Sequence, residues 1–188
     1  MPNTPVYGFT YPANTAHARI WEHIQTPLLQ VEALLNSWLK PTNLERTTDL
    51  AVVTATFADD AYLQVGLPES AVFDVQAHLI YSASTTGDFK VGWSCSGSGP
   101  SFQWVGNGPD SGATSGAGGR INAHATLGST EVYGGIGTGT PLVARPGGTL
   151  KTGTGGPVFK LRWAQGTLDA VNGTTLFAGS RLTLKRIG

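Results

Sequence analysis

Between residues 70 and 84 the chain reads SAVFDVQAHLIYSAS, and its polarity alternates residue by residue. Phe73, Val75, Ala77, Leu79 and Tyr81 fall on one face of an extended strand. Asp74, Gln76, His78 and Ser82 fall on the other, with Ile80 the exception. A helix cannot use this pattern, because a period of two scatters the apolar side chains around its circumference. The stretch must be a strand with one face buried and one face wet, as in an antiparallel sheet.

The same period recurs along the chain. LAVVTATF (50–57), AYLQVGL (61–67), FKVGWSCS (89–96) and SFQWVG (101–106) read as strands. So do RINAHATL (120–127), EVYGGIG (131–137), GGTLKTG (147–153), PVFKLRWAQGT (157–167) and TTLFAGSRLTLKRI (174–187). Thr86-Gly87-Asp88 supplies a turn, so 70–84 and 89–96 are expected to form a long hairpin with one buried side. Asn172-Gly173 is a hairpin-turn signal. Residues 106–119, GNGPDSGATSGAGG, read as an exposed loop, and 138–141 as a connection. Only 13% of residues are charged, about half the usual share, and 26 are glycine. That composition fits many short strands and many turns. The expectation is a mainly β chain, with an antiparallel β-sandwich or jelly roll over 49–188.

Upstream the period is helical. Asn14 to Gln25 and Thr26 to Lys40 read as one or two short helices. Thr26 stands as a cap before Pro27, which should divide them. Trp21, Ile24, Leu28, Val31, Leu35 and Trp38 step by three and four along one face. They form a heptad seam with Leu28 and Leu35 at a and Val31 and Trp38 at d. A short helix of this kind is marginal alone in water and must cover its stripe with another surface. The cover is the chain's own domain, another protein or further copies of the chain; among copies, this a/d choice favours three strands or more. Residues 1–13, MPNTPVYGFTYPA, hold three prolines and no charge. Tyr7, Phe9 and Tyr11 alternate there as the anchors of an extended docking arm. PTNLERTT (41–48) reads as a polar linker.

Function classes narrow quickly. Twelve basic and 12 acidic side chains give a net charge of +0, so nothing draws nucleic acid or an anionic membrane to the chain. No apolar run is long enough to span a bilayer, and residues 1–20 lack the apolar core of a signal peptide. A chain made in a reducing cytoplasm is expected. Cys95 is the single cysteine and reads as a buried thiol. His17, His23, His78 and His124 have no metal-ligand spacing. Asp59-Asp60 reads as a solvated turn, and His78 as an exposed histidine. Gly134-Gly135, Gly137 and Gly139 lack the lysine of a phosphate loop. Trp93, Trp104 and Trp163 read as core rather than as a sugar platform. No enzyme, metal or cofactor is expected.

The segments GGTLKT, FKLRWAQ and TTLFAGSRLTLKRI resemble the closing strands of small jelly-roll virion proteins of tailed actinobacterial phages. AYLQVGLPESAVFDVQAHLIYSASTTGDFKVGWS resembles their early strands, and YGFTYP before a helix resembles their attachment segments. The resemblance implies a tumour-necrosis-factor-like outline, a homotrimer, and a virion surface accessory: a capsid decoration, short fibre or minor structural protein. It implies a major capsid or tail protein as partner. The alternative is a minor tail protein with a lectin-like sandwich that binds host surface glycan.

Overall fold

A computed structural model describes residues 24–32, 35, 40–113 and 119–188. The chain divides into two compact units, Met1–Lys40 and Pro41–Gly188. Described strands of the second unit are, in chain order, β1 (Thr42–Glu45), β2 (Leu50–Val52), β3 (Ala58–Gly66), β4 (Val72–Ala83), β5 (Phe89–Cys95), β6 (Ser101–Pro109), β7 (Gly119–His124), β8 (Thr130–Tyr133), β9 (Gly137–Ala144), β10 (Gly147–Lys151), β11 (Val158–Gln165), β12 (Thr174–Leu176) and β13 (Arg181–Arg186). One sheet has the order β3-β11-β5-β8. The other has the order β1-β13-β4-β10-β6-β7, with β2, β9 and β12 alongside.

The larger sheet is simpler than its strand count. β1 and β2 lie end to end beside β13 and β12, with Glu45 opposite Arg181 and Leu50 opposite Leu176. β13 and β12 in turn lie end to end along one side of β4, and β10 and β9 along its other side. Each broken pair acts as one long strand. On that count eight strands wrap between two layers, changing layer at every step except from β5 to β8, which pair in the smaller sheet, and the one that closes the described chain pairs with the one that opens the sandwich. This wrapped order is that of a jelly roll. The hairpin β6–β7 is added beyond β10.

The expected β-sandwich is therefore present, with local corrections. The stretch 41–48 is not only a linker, because Thr42–Glu45 pairs with β13. Residues 138–141 belong to β9. β6 runs on to Pro109, so the start of the expected 106–119 loop is strand paired with β7. Of LAVVTATF only Leu50–Val52 is strand. β4 and β5 are not a hairpin, since they lie in different sheets. Period two tells which face is buried, not which layer the next strand joins. The turn at 84–88 is the corner between layers. Asp88 has a φ of 51° there. Its carboxylate accepts from the Gly135 N–H at 3.0 Å and from the Ser111 hydroxyl at 2.9 Å. Its carbonyl accepts from Thr174 Oγ1 at 2.9 Å. Asn172-Gly173 likewise leads from β11 to β12 across layers, so it is not a hairpin turn.

The face chosen by alternation is the core. Val75, Leu79 and Tyr81 have no exposed surface, and Phe73 and Ala77 are buried. Trp93 of β5 stacks on Phe159 at 5.1 Å and meets Phe102 of the opposite sheet edge-on at 5.5 Å. Tyr81 stacks on Phe89 at 4.4 Å across the same gap. Such ring pairs add about 0.5–1.5 kcal/mol each beyond their buried area. Trp93, Trp104 and Trp163 are all buried, as expected of core residues. Cys95 is only half-buried, and burial raises its thiol pKa.

Asp60 is the sharpest departure from expectation. It is buried in β3, not solvated at a turn. Arg46, also buried and lying between β1 and β2, pairs with its Oδ2. The Trp163 indole N–H donates to the same oxygen at 3.1 Å. The Tyr62 and Leu63 amides donate to Oδ1 at 2.9 and 3.0 Å. A dry carboxylate is tolerated because every lone pair is used. The pair ties the larger sheet to β3 and β11 of the smaller one.

Two predictions follow from this packing. Asp60→Ala strands the Arg46 charge and should cost about 3–5 kcal/mol, read from urea unfolding of the full chain. Burial raises the pKa of Tyr81 and Tyr133, with the charges of Asp88 and Glu131 respectively adding to it. The unfolded chain releases those protons first, so stability holds below about pH 10 and falls above it. Tyr81→Phe should flatten that alkaline fall in unfolding midpoints measured across the range.

Candidate interaction surface

Tyr7, Phe9, Tyr11, Trp21 and Trp38 lie outside the described residues. The remaining seam positions lie on helix. Residues 24–32 form one continuous helical run, and Leu35 is helical too. Ile24 and Gln25 are already helical, so Thr26 is not the cap, and the run is unbroken at Pro27. Ile24, Leu28, Val31 and Leu35 are spaced 4, 3 and 4 apart and share one helix face. They are 46%, 40%, 53% and 53% exposed. Leu29 beside them is exposed as well.

The second unit holds a polar cluster that the sequence did not announce. Alternation along β7 puts Arg120, Asn122 and His124 on one face. That face meets Glu131 of β8, in the other sheet. Glu131 is buried. Its Oε1 accepts from Arg120 at 2.9 Å and from the Asn122 amide at 3.1 Å. Its Oε2 accepts from the same amide at 2.9 Å and lies 2.7 Å from His124 Nε2. His124 stacks on Trp104, ring centres 4.1 Å apart. Gly106 leaves room for the carboxylate, since a Cβ there would sit 2.7 Å from it.

A histidine–glutamate pair can serve as a general base, but this one is committed. A carboxylate offers about four lone-pair sites, and four contacts occupy them here. Glu131 has no oxygen left for a substrate. The cluster is a strut between the two layers at the added hairpin. Among the described residues no group of three His, Cys, Asp or Glu is placed to hold a metal ion. No described helix is long and apolar enough to cross a membrane.

No protein-family model and no curated protein matches the sequence. Among solved structures the chain is similar to the infectious bursal disease virus Gt strain structure, at 6% identity and a TM-score of 0.20. It is also similar to the Gx strain structure of that virus, at 13% identity and a TM-score of 0.18. The matches cover 79% and 77% of this chain, and the chain spans only 41% and 38% of the length of those proteins. At these scores the likeness carries no inference about role.

His78, expected to be exposed, is half-buried. Burial lowers its pKa first, and the charges of Arg145 and Arg181 lower it further. Asp60 and Glu131 were hidden from sequence reading because their partners lie on other strands. The available signal for Glu131 was three polar residues at alternate positions, 120, 122 and 124, in a strand otherwise able to bury a face. Glu131→Ala should cost about 1–3 kcal/mol, the penalty for leaving buried donors unpaired. Arg120 is 44% exposed on its side chain and regains water, so the loss stays below that of Asp60→Ala. Paired unfolding curves check the order.

Proposed function

We propose that the chain is a virion structural accessory protein, a homotrimeric capsid decoration or short fibre protein of a bacteriophage. In this reading the helical segment joins the copies and the arm through Tyr7, Phe9 and Tyr11 docks on a major capsid or tail protein. The supporting observation is the helical stripe. Ile24, Leu28, Val31 and Leu35 present apolar side chains to water at heptad spacing. A patch of that kind marks a contact with another surface. Three arms on one trimer would hold by effective concentration even if each were weak. The jelly roll supplies a neutral, glycine-rich body carried outward by that attachment, and no catalytic step belongs to the role.

Light scattering of the full chain tests the reading. The parent should have the mass of an oligomer, and Leu28→Asp with Leu35→Asp should reduce it to that of one chain. Deleting residues 1–13 should leave the mass unchanged and abolish co-sedimentation with particles. A parent chain of single mass, or a truncated chain still bound to particles, overturns the corresponding part.

A further inference from the structure

The outer face of the larger sheet carries a second feature, independent of how copies associate. A groove of about 650 Å³ lies across β1, β13, β4 and the β9–β10 junction. That is within the range of about 300–1,000 Å³ usual for small-molecule sites. Its floor is two rows of outward side chains. In one row Glu45 stands opposite Arg181, and Arg181 opposite His78. Gln76 faces Gly147 and Leu79 faces Ala144. The same register carried across the residues between puts Arg145 opposite His78. The next row reads Asn43, Thr183, Gln76 and Gly147.

The chemistry of these rows is specific. Arg145 and Arg181 are exposed and flank His78 from the two neighbouring strands. Two strand spacings separate them, about 10 Å at the backbone, within reach of two long side chains closing on one anion. No described acid lies within ion-pair distance of either guanidinium. Glu45, directly across from Arg181, opposes a densely charged ligand such as a polyphosphate. The rest of the lining is uncharged, and Asn43, Gln76, His78 and Thr183 in it can hydrogen-bond. Thr183 donates to Asn43 Oδ1 at 2.9 Å, which leaves the Asn43 amide hydrogens for a ligand. Gln76 donates one bond to Asp74 at 3.1 Å and keeps its carbonyl. An apolar ligand would leave the two guanidinium groups, the Asn43 amide hydrogens and the Gln76 carbonyl without partners. One negative charge on a hydroxyl-rich body would satisfy them.

We propose that this groove binds a carboxylated saccharide, its carboxylate between Arg145 and Arg181 and its hydroxyls on His78, Asn43 and Gln76. Calorimetric titration of the full chain with trigalacturonate and with sialyllactose tests it. Maltotriose and lactose serve as neutral counterparts, and inorganic phosphate as a bare anion. At least one carboxylated probe should bind, with its neutral counterpart and phosphate roughly tenfold weaker or more. Arg145→Gln and Arg181→Gln should each weaken that binding roughly tenfold, the loss of one charge-assisted contact. Gln76→Ala should weaken the saccharide and leave phosphate unchanged. These positions are on the surface, and an unchanged circular dichroism spectrum verifies each fold. The His78 ring signals in NMR spectra should move on titration. Binding of neither carboxylated probe overturns the proposal, as does phosphate binding as tightly as the saccharide. Undiminished binding by the double arginine variant overturns it as well.

Discussion

Slipping β4 by one residue against its neighbours would turn Phe73, Val75, Ala77, Leu79 and Tyr81 to solvent. It would drive Asp74, Gln76 and His78 into the core. No other strand carries so much. β4 pairs with β10 and β9 on one side and with β13 and β12 on the other. Its register therefore fixes four strands at once, and through β13 and β12 it fixes β1 and β2. The breaks in these neighbours fall at one level, and backbone groups there stay satisfied. The Ile80 N–H donates to Ser180 Oγ at 3.0 Å, and the Phe177 N–H donates to the Ile80 carbonyl at 2.8 Å. Arg46 and Ser180 join the outer strands across the same level.

Hydrophobic burial holds the layers together without telling them how to align, because it is non-directional. Two acids supply direction. Asp60 fastens the β1–β2 side of the larger sheet to β3 and β11. Glu131 fastens β7 to β8 at the added hairpin. Each carboxylate takes donors from the opposite layer, Asp60 from Arg46 and Glu131 from Arg120, Asn122 and His124, so each is satisfied in only one arrangement of the layers. A third acid joins the 169–172 turn to the 84–88 corner. Asp169 accepts from the Asn172 and Val171 amides and the Ser84 hydroxyl, and the Asn172 bond most of all holds its pKa down.

What could be read from the sequence was set by range. Strand faces follow from neighbours two residues away, so the buried side of β4 and β5 was legible, as was the core position of Trp93 and Trp163. β1 was not, because TNLE has no alternation of its own and is strand only through its partner β13. The start of β9 reads as a connection because GTGTP is rich in breakers; its pairing with β4 overrides them. Asp60 reads as a turn residue because its decisive partners, Arg46 and Trp163, are 14 and 103 residues away. The groove could not be read at all, since Arg145 and Arg181 meet only once β4 is threaded between their strands. The seam residues Ile24, Leu28, Val31 and Leu35 were legible as a helical face because i, i+3 and i+4 contacts are local.

The pairing of β1 with β13 also governs how the protein can be made. Thr42–Glu45 leaves the ribosome well before its neighbour, Arg181–Arg186. During the whole of that interval β4 lacks one flank, and its hydrogen-bonding edge stays open to any other extended chain. Contacts of such long separation also close slowly. The order of strands thus makes the interval before β12 and β13 emerge the dangerous one, and a nascent chain paused before residue 174 is the species most exposed to aggregation.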